Sequence, residues 1–408
     1  MIDIGSRCTG CGVCATVCPK KCISMVSDFE GFLYPKVDIE KCINCKTCIK
    51  ICHILNVTKG NFTEKPAAFV GYNKDENIRL NSSSGGIFTA ISLNIFKQSG
   101  VVYGAALSDM NEVKHIRVDK PDTLRKLRGS KYVQSRIDDG IYTAVKTDLS
   151  SGKPVLYSGT PCQIGALRGY LKKDYDNLFT VSFICHGVPS PLVWEKYIDY
   201  QEIKHKSALN QVSFRNKDEG WTTFSMKLSF VNGDVYRKNL KEDLYLKAFL
   251  KNTCLRPSCH SCQYKGIEHQ KIIDIILADW WGADQSVFAD IDMGISAILI
   301  NNTKGHFLWN NCCSALEYKE MDFNRIIASN TAYSMSTTPS KYRSRFLDEI
   351  RYLQFEKTVQ KYTKTPLKQR IKQSLIPVIY LFAKKTGLLK LYKIVRCVWQ
   401  DKNVANGS

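Results

Sequence analysis

The hydrophobic pattern of this chain alternates between two periods through most of its length. AAFVGY (67–72) and VVYGAAL (101–107) are short apolar runs of strand type, and between them GGIFTAISLNIFKQ (85–98) repeats its apolar positions at helical spacing. KPVLYSGTPCQIGALRGYL (153–171) predicts strand, turn and helix, and LFTVSFICHGVPSPLVWEKYIDY (178–200) predicts the same order again. Strands alternating with helices argue an α/β domain. QVSFRNKDEGWTTFSMKLSFVNGDVY (211–236) breaks the alternation: it is β-rich, with NGD as a hairpin signal. KIIDIILADWWGAD (271–284) predicts a buried strand running into a polar loop.

The ends differ from the middle. TKGNFTEKPAA (58–68) is polar, with Gly60 and Pro66, and predicts a linker. After about residue 345 the chain becomes helical and basic. The expected organisation is therefore a first domain over 1–60, a linker over 61–67, a large α/β domain over 68–345 and a helical basic tail over 346–408. No run of about 18 apolar residues occurs, so no membrane-spanning helix is expected.

The first 60 residues are punctuated by thiols. Cys8, Cys11, Cys14 and Cys18 follow C-x2-C-x2-C-x3-C with Pro19 next, the run of bacterial two-cluster ferredoxins. Cys42, Cys45, Cys48 and Cys52 repeat it, each 34 residues after its counterpart. In that arrangement the first three cysteines of a run hold one [4Fe–4S] cluster and the fourth holds the other. Cluster I then takes Cys8, Cys11, Cys14 and Cys52, and cluster II takes Cys42, Cys45, Cys48 and Cys18. This predicts an α+β, ferredoxin-like N-terminal domain. Zinc would use two CxxC pairs and leave the middle cysteines idle. Disulfides need an oxidising compartment, and MIDIGSRC lacks the apolar stretch of a secretory signal, so a cytoplasmic location is expected. His53 stands where the first run has Pro19, a change expected to affect loop rigidity and not ligation. Cys22 is left over and is expected to be a small buried core residue.

Composition changes this picture little. The formal charge of +20 on 408 residues invites a nucleic-acid partner. Yet a thiolate-bound [4Fe–4S]2+ core carries roughly −2. Eight lysines and two arginines, with no Asp or Glu, also fall between Lys361 and Gln400. No nucleic-acid motif accompanies them, so no nucleic-acid partner is expected. The tail, LKQRIKQSLIPVIYLFAKKTGLLKLYKIVRCVWQ (367–400), interleaves these charges with apolar residues at near-helical spacing. One reading is peripheral membrane contact through residues 361–400; the other is a helix docked on its own domain or on an acidic partner.

The middle domain holds further candidates. SSSGGIF (82–88) puts serines and two glycines before a helix, either an anion seat or an ordinary Ser cap. Cys162 falls near the first turn of a helix, where a thiol pKa is lowered, and Cys185 follows the next strand. CLRPSCHSC adds Cys254, Cys259 and Cys262. Two strand-end cysteines and a CxxC suffice for a third cluster, while each thiol alone reads as a buried structural group. His186 and His260, beside these cysteines, are either hydrogen-bond donors behind the ligands or, as the expected reading, incidental. LRGSKYVQSR (127–136) and FRNKDEGW (214–221) are basic loops that either hold an anionic ligand or are simply solvated. DWWGAD (279–284) is either a wall beside a planar cofactor or core packing.

Taken together, SSSGGIFTAIS, GSKYVQS, SGTPCQIGAL, ICHGVPS, FRNKDEGW, RPSCHSC and ADWWG, in this order behind a double ferredoxin unit, resemble the coenzyme F420 hydrogenase/dehydrogenase beta-subunit family. The resemblance covers residues 1 to about 345. It implies an FAD-binding α/β domain with iron–sulfur relays, in which hydride passes between a deazaflavin or another organic substrate and FAD. It makes Ser83, Ser84, Gly85, Gly86, Lys131 and Thr160 candidate cofactor contacts. It makes Cys162, Cys185, Cys259 and Cys262 candidate ligands of a third [4Fe–4S] cluster, with Cys254 a rival for one place. The expected function is an iron–sulfur flavoprotein oxidoreductase served by ferredoxin or another redox protein and acting on an unidentified small molecule. The alternative is a non-catalytic electron-transfer subunit docking on a partner enzyme. No Ser/His/Asp or paired-carboxylate constellation is visible, as fits a reaction whose chemistry belongs to a cofactor.

Overall fold

The computed structural model describes residues 2–56, 64–108 and 111–364. Residues 61–63 of the expected linker and the tail beyond residue 364 lie outside the described residues.

Residues 2–56 form a small α+β unit. β1 (Ile23–Ser27) and β2 (Leu33–Val37) make an antiparallel hairpin, with Ile23 opposite Val37. Two short helices, Val13–Thr16 and Thr47–Ile51, each carry the third cysteine of a run. The sequence repeat is also a backbone repeat. Gly10 and Gly12 have φ of 70° and 76°, and their counterparts Asn44 and Lys46 have 50° and 60°. This left-handed geometry turns the chain sharply between successive cysteines. Glycine adopts it without strain, whereas asparagine and lysine tolerate it at some cost.

The remainder is built on an eight-stranded mixed sheet. Its strands are β3 (Ala67–Asn73), β4 (Val101–Leu107), β5 (Val113–Val118), β6 (Val155–Ser158), β7 (Leu178–Phe183), β11 (Ile275–Asp279), β12 (Ser296–Ile300) and β13 (Leu316–Glu320). The spatial order is β13-β3-β12-β11-β7-β6-β4-β5. The central four, β4, β6, β7 and β11, run parallel, and antiparallel strands flank them. A separate meander of β8 (Leu209–Asn216), β9 (Ser225–Phe230) and β10 (Val235–Asn239) accounts for the β-rich interruption, with Asn232–Asp234 as its second turn.

Both faces of the large sheet are buried, because residues alternate sides along each strand. Val101, Tyr103, Val155, Tyr157 and Leu299 pack on one face; Val102, Leu156, Ile298 and Ile300 pack on the other. The helices Asp139–Ser150 and Pro161–Leu171 cover the first face, and Ile87–Lys97 with Thr303–Cys312 covers the second. Val13 and Ile51 of the N-terminal unit belong to the first of these cores. The compact unit accordingly starts with the ferredoxin-like residues and ends at Val359, past the boundary expected at 345, because the helix Arg343–Glu349 buries Phe346 and Leu347 in it.

Polar clamps fix the N-terminal unit to the sheet. Arg256, 1 % exposed, donates from Nε to Cys8 O (2.7 Å), from Nη1 to Gln134 Oε1 (2.9 Å) and from Nη2 to Leu33 O (2.8 Å). Arg343 holds the Glu30 carboxylate with both terminal nitrogens and donates from Nε to Leu255 O (2.7 Å). Gly10 is glycine because a Cβ there would lie 2.8 Å from the Arg256 guanidinium.

Candidate functional site

Thirteen of the described cysteines fall into three groups. Cys8, Cys14 and Cys52 are buried and Cys11 is half-buried. Burial pushes the Cys11 thiol far up, and the neighbouring Cys14, Cys8 and Cys52 push it further. Cys14 is pushed up to about 12, by burial first and then by Cys8, with smaller effects from Cys52 and Cys48. Cys52, from the second run, thus stands among the first three cysteines of the first run. Cys48 of the next group lies within electrostatic reach.

The second group lines a surface cavity: Cys18 from the first run with Cys42, Cys45 and Cys48 from the second. Cys22 joins them. It is buried, as expected, but its Sγ is 3.4 Å from Cys18 Sγ and it faces the same cavity. Its spacing from Cys18 gave no sign of this, because the turn through Lys21, with φ of 47°, brings the two back together.

The third group comes from three distant parts of the chain. Cys162, Cys185, Cys259 and Cys262 line one cavity, together with Thr160 and residues of the N-terminal unit such as Arg7, Thr9 and Ile54. Cys162 follows β6 directly. Pro161 opens its helix, and the Thr160–Gln163 capping box fixes the turn, with Thr160 N donating to Gln163 Oε1 at 2.9 Å. Cys185 follows β7 in an extended loop, since the next helix begins only at Pro191. Cys259 and Cys262 sit on and just after the short helix Pro257–Ser261. Burial, then the other thiols, pushes Cys162 and Cys185 up to about 12. This reverses the lowering expected from the helix N-terminus alone: desolvation of a thiolate outweighs the partial charge of the helix end. Cys254, the rival, is fully buried and does not line this cavity; its carbonyl accepts from Ser190 N.

Among the described residues no three His, Cys, Asp or Glu side chains converge as one metal ion requires. A single tetrahedral zinc would draw four sulfurs to about 3.8 Å from one another.

His53 and Tyr264 lie between the first and third groups. His53 Nδ1 is 2.6 Å from Tyr264 Oη, and its Nε2 is 3.1 Å from Thr9 Oγ1. Tyr264 lines the third cavity, and its hydroxyl feels both Cys162 and Cys11. Burial pushes His53 down to about 4, so it is neutral at ordinary pH. The exchange of proline for histidine therefore adds two hydrogen bonds, one to Thr9 within the N-terminal unit and one to Tyr264 across the junction, beyond any change in loop rigidity. Gly165 leaves room for the same hydroxyl: a Cβ there would run into Tyr264 Oη. Gly165→Ala is expected to displace Tyr264 and lower stability by about 1–3 kcal/mol, despite alanine's better helix propensity. Thermal unfolding of the iron-loaded protein measures this, and an unchanged or higher midpoint contradicts it.

His186 and His260 have structural partners: His186 Nε2 lies 2.8 Å from Asn252 Oδ1, and His260 Nδ1 lies 2.7 Å from Thr337 O.

The remaining motifs converge elsewhere, around the turn that precedes helix Ile87–Lys97. Ser83 Oγ accepts from Ser130 N (2.6 Å), joining SSSGG to RGSK. Lys217, from FRNKDEGW, donates from Nζ to Ser84 O (2.7 Å), Arg79 O (2.8 Å) and Met293 O (2.8 Å). Arg215 Nη1 donates to Asp279 Oδ2 (2.5 Å), tying the same motif to DWWG. Trp221 Nε1 donates to Asp279 Oδ1 (3.1 Å), and its ring stacks on Trp281 at 5.3 Å between centroids. Trp280 is core, as one of the two readings had it, and Trp281 is exposed.

The basic loops are not simply solvated. Burial pushes Lys131 down to about 7; its Nζ donates to Arg128 O (2.7 Å). Lys217 is also pushed down to about 7, by burial and then by Arg215 and Arg79. The buried Nε and Nη2 of Arg215 and Nε of Arg128 have no hydrogen-bond partner. Conversely, the Ser84 hydroxyl is engaged with Ile295 O, and the Gly85 amide with Ser296 Oγ. Gly86 caps the helix with no side-chain hydrogen bond. The unspent donors at this turn belong to Arg215 and Arg128, whereas Lys217 has spent all three of its own; of the cations here the sequence singled out only Lys131.

Comparison with known proteins agrees with this division. Residues 7–54 match the 4Fe–4S dicluster domain, and residues 152–324 match the C terminus of the coenzyme F420 hydrogenase/dehydrogenase beta subunit. An uncharacterised protein of Methanocaldococcus jannaschii is 24 % identical over 290 residues, covering 61 % of this chain and 75 % of that one. The NADH-quinone oxidoreductase subunit I of Pelobacter propionicus is 39 % identical over 54 residues, which is 11 % of this chain and 29 % of that subunit. A solved chain from the F420-reducing [NiFe] hydrogenase complex of Methanosarcina barkeri is 19 % identical, with a TM-score of 0.45, covering 74 % of this chain and 94 % of its own. Residues 152–324 thus carry the C-terminal region of the coenzyme F420 hydrogenase/dehydrogenase beta-subunit family, behind a 4Fe–4S dicluster domain over residues 7–54.

Proposed function

We propose that the protein is an iron–sulfur flavoprotein oxidoreductase with three [4Fe–4S] clusters and one FAD. Two clusters belong to the N-terminal repeat: cluster I on Cys8, Cys11, Cys14 and Cys52, and cluster II on Cys42, Cys45, Cys48 and Cys18. The third is held by Cys162, Cys185, Cys259 and Cys262. The observation that carries the reading is the meeting of these last four thiols in one cavity whose wall includes the N-terminal unit. A third relay there stands between the ferredoxin repeat and the carboxyl ends of the parallel strands, where open α/β sheets bind ligands.

When bound, the flavin exchanges two electrons as hydride and the clusters carry them singly. The chain itself binds, orients and excludes water. Arg215 and Arg128 supply buried guanidinium donors without a partner beside a helix N-terminus, and Lys131 and Lys217 add buried amines whose protonated form an anion would favour, a chemistry suited to the pyrophosphate of FAD. Stacked Trp221 and Trp281 offer a flat apolar surface beside it. His53 and Tyr264 fix the junction between the first and third thiol groups.

Iron, sulfide and flavin measured on one anaerobically purified sample test this. About twelve irons and one FAD are expected, at four irons per cluster. Full iron without flavin removes the flavoprotein reading and leaves the electron-transfer subunit. Lys131→Glu is expected to lower FAD occupancy at least tenfold while leaving the iron content unchanged, since a like charge would face the phosphates. Unchanged flavin in that variant contradicts the placement.

A further inference from the structure

The surface around the second thiol group has a composition of its own. Cys45 is the exposed cysteine there, whereas the first group is buried apart from half-buried Cys11. Lys20, Lys21, Lys41, Lys46 and Lys50 are all exposed around this cavity, and Lys20 and Lys46 form part of its wall. Two acids are interspersed, Asp38 and Glu40, and Asp38 pairs with Lys41 at 2.9 Å. Among the described residues no carboxylate pairs with the other four lysines. Ile43 and Ile39 are 58 % and 69 % exposed on the same segment. An apolar centre within a charged rim is the anatomy of a transient protein interface.

We propose that this lysine-rimmed surface is the docking site of an acidic electron-carrier protein, which exchanges electrons with the chain through the cluster on Cys18, Cys42, Cys45 and Cys48. The proposal rests on the cluster assignment above and adds the place and charge of the partner. Single electrons move only between centres brought close together, so a carrier protein must dock where a cluster approaches solvent. The exposed thiol marks that point. One electron leaves the reduced carrier and reduces the cluster by one, or the reverse, with no bond made or broken. The lysines steer an oppositely charged carrier during encounter, and the isoleucines exclude water once it has docked.

A competing account is that the lysines only offset the negative charge of the cluster. The two separate by kinetics. The iron-loaded protein is mixed in stopped flow with a reduced acidic two-cluster ferredoxin, and separately with photoreduced deazariboflavin as a neutral donor. Bleaching of the iron–sulfur absorbance is followed against ionic strength.

Lys21→Glu with Lys50→Glu, neither of which lines the cavity, is expected to slow reduction by ferredoxin about tenfold at low salt. The difference should vanish at high salt, and the neutral donor should be unaffected. Lys97→Glu with Lys126→Glu, exposed residues flanking the opposite face of the sheet, should change the ferredoxin rate less than twofold. Equal rates for the first variant and the unsubstituted protein overturn the docking site. Equal slowing by both double variants also overturns it, leaving net charge alone, and equal slowing with the neutral donor leaves only an altered cluster. A protein without iron–sulfur absorbance overturns the cluster reading itself, and is recognised before any carrier is added.

Discussion

Cys262→Ser is expected to lower the iron content from about twelve to about eight atoms per chain, at four per cluster, while the N-terminal repeat keeps its full complement. Serine is a poor ligand for iron at neutral pH, and the histidine of the same cavity wall, His186, is already engaged with Asn252. Cys254 is the one other thiol of that segment, and it is buried away from the cavity beneath Ser190. Cys254→Ala should therefore keep all the iron, at a small cost in packing. The pair of variants distinguishes ligation from folding. An unchanged iron count in Cys262→Ser, or equal losses in both, contradicts the third cluster. Retention of the N-terminal clusters in the variant shows that the fold has survived.

Arg256→Ala is expected to lower stability by about 3–5 kcal/mol and to cost iron at cluster I as well. The guanidinium is buried and makes three hydrogen bonds, to Cys8 O, Gln134 Oε1 and Leu33 O. Its plane also lies 4.5 Å from the Tyr34 ring centroid and 5.2 Å from that of Phe32. Bonds from a charged donor contribute about 1.5–3 kcal/mol each, and an acceptor left buried without a partner costs about 1–3 kcal/mol. These do not add, because all three acceptors relax together once the donor has gone. Arg256→Lys should fall between, since an ammonium cannot reach three acceptors in the planar fork that guanidinium provides. Anaerobic urea unfolding, followed by iron–sulfur absorbance and far-ultraviolet dichroism, measures both effects. A midpoint for Arg256→Ala close to that of the unsubstituted protein contradicts the role given to this clamp.

The two arginine clamps explain why the expected boundary near residue 60 does not separate independent bodies. A polar linker read from composition reports local solvation and says nothing of what the flanking segments bury against each other. Val13, Ile51, Arg256 and the Arg343–Glu30 pair do that, and none carries a signal at short range.

What the sequence by itself determined is whatever depends on short chemical spacing. The eight cysteines of the repeat, the alternation of strand and helix from residue 67 onward, the hairpin at Asn232–Asp234 and the strand–turn–helix around Cys162 all follow from neighbours within a few residues. Backbone sterics and hydrogen bonding act at that range. Only the tertiary structure decided what lies far apart in the chain: that Cys162, Cys185, Cys259 and Cys262 share a cavity without Cys254, that His53 meets Tyr264 across 211 positions, and that Arg215 and Lys217 join Ser83 and Lys131 at one turn. Their meeting is set by the parallel order of β4, β6, β7 and β11, which brings loops from distant segments to one edge of the sheet. It is set equally by burial. The same lysine is a solvated charge in a loop and, as Lys217 shows, a buried donor to three carbonyls in a core, and the sequence around it is identical in both cases.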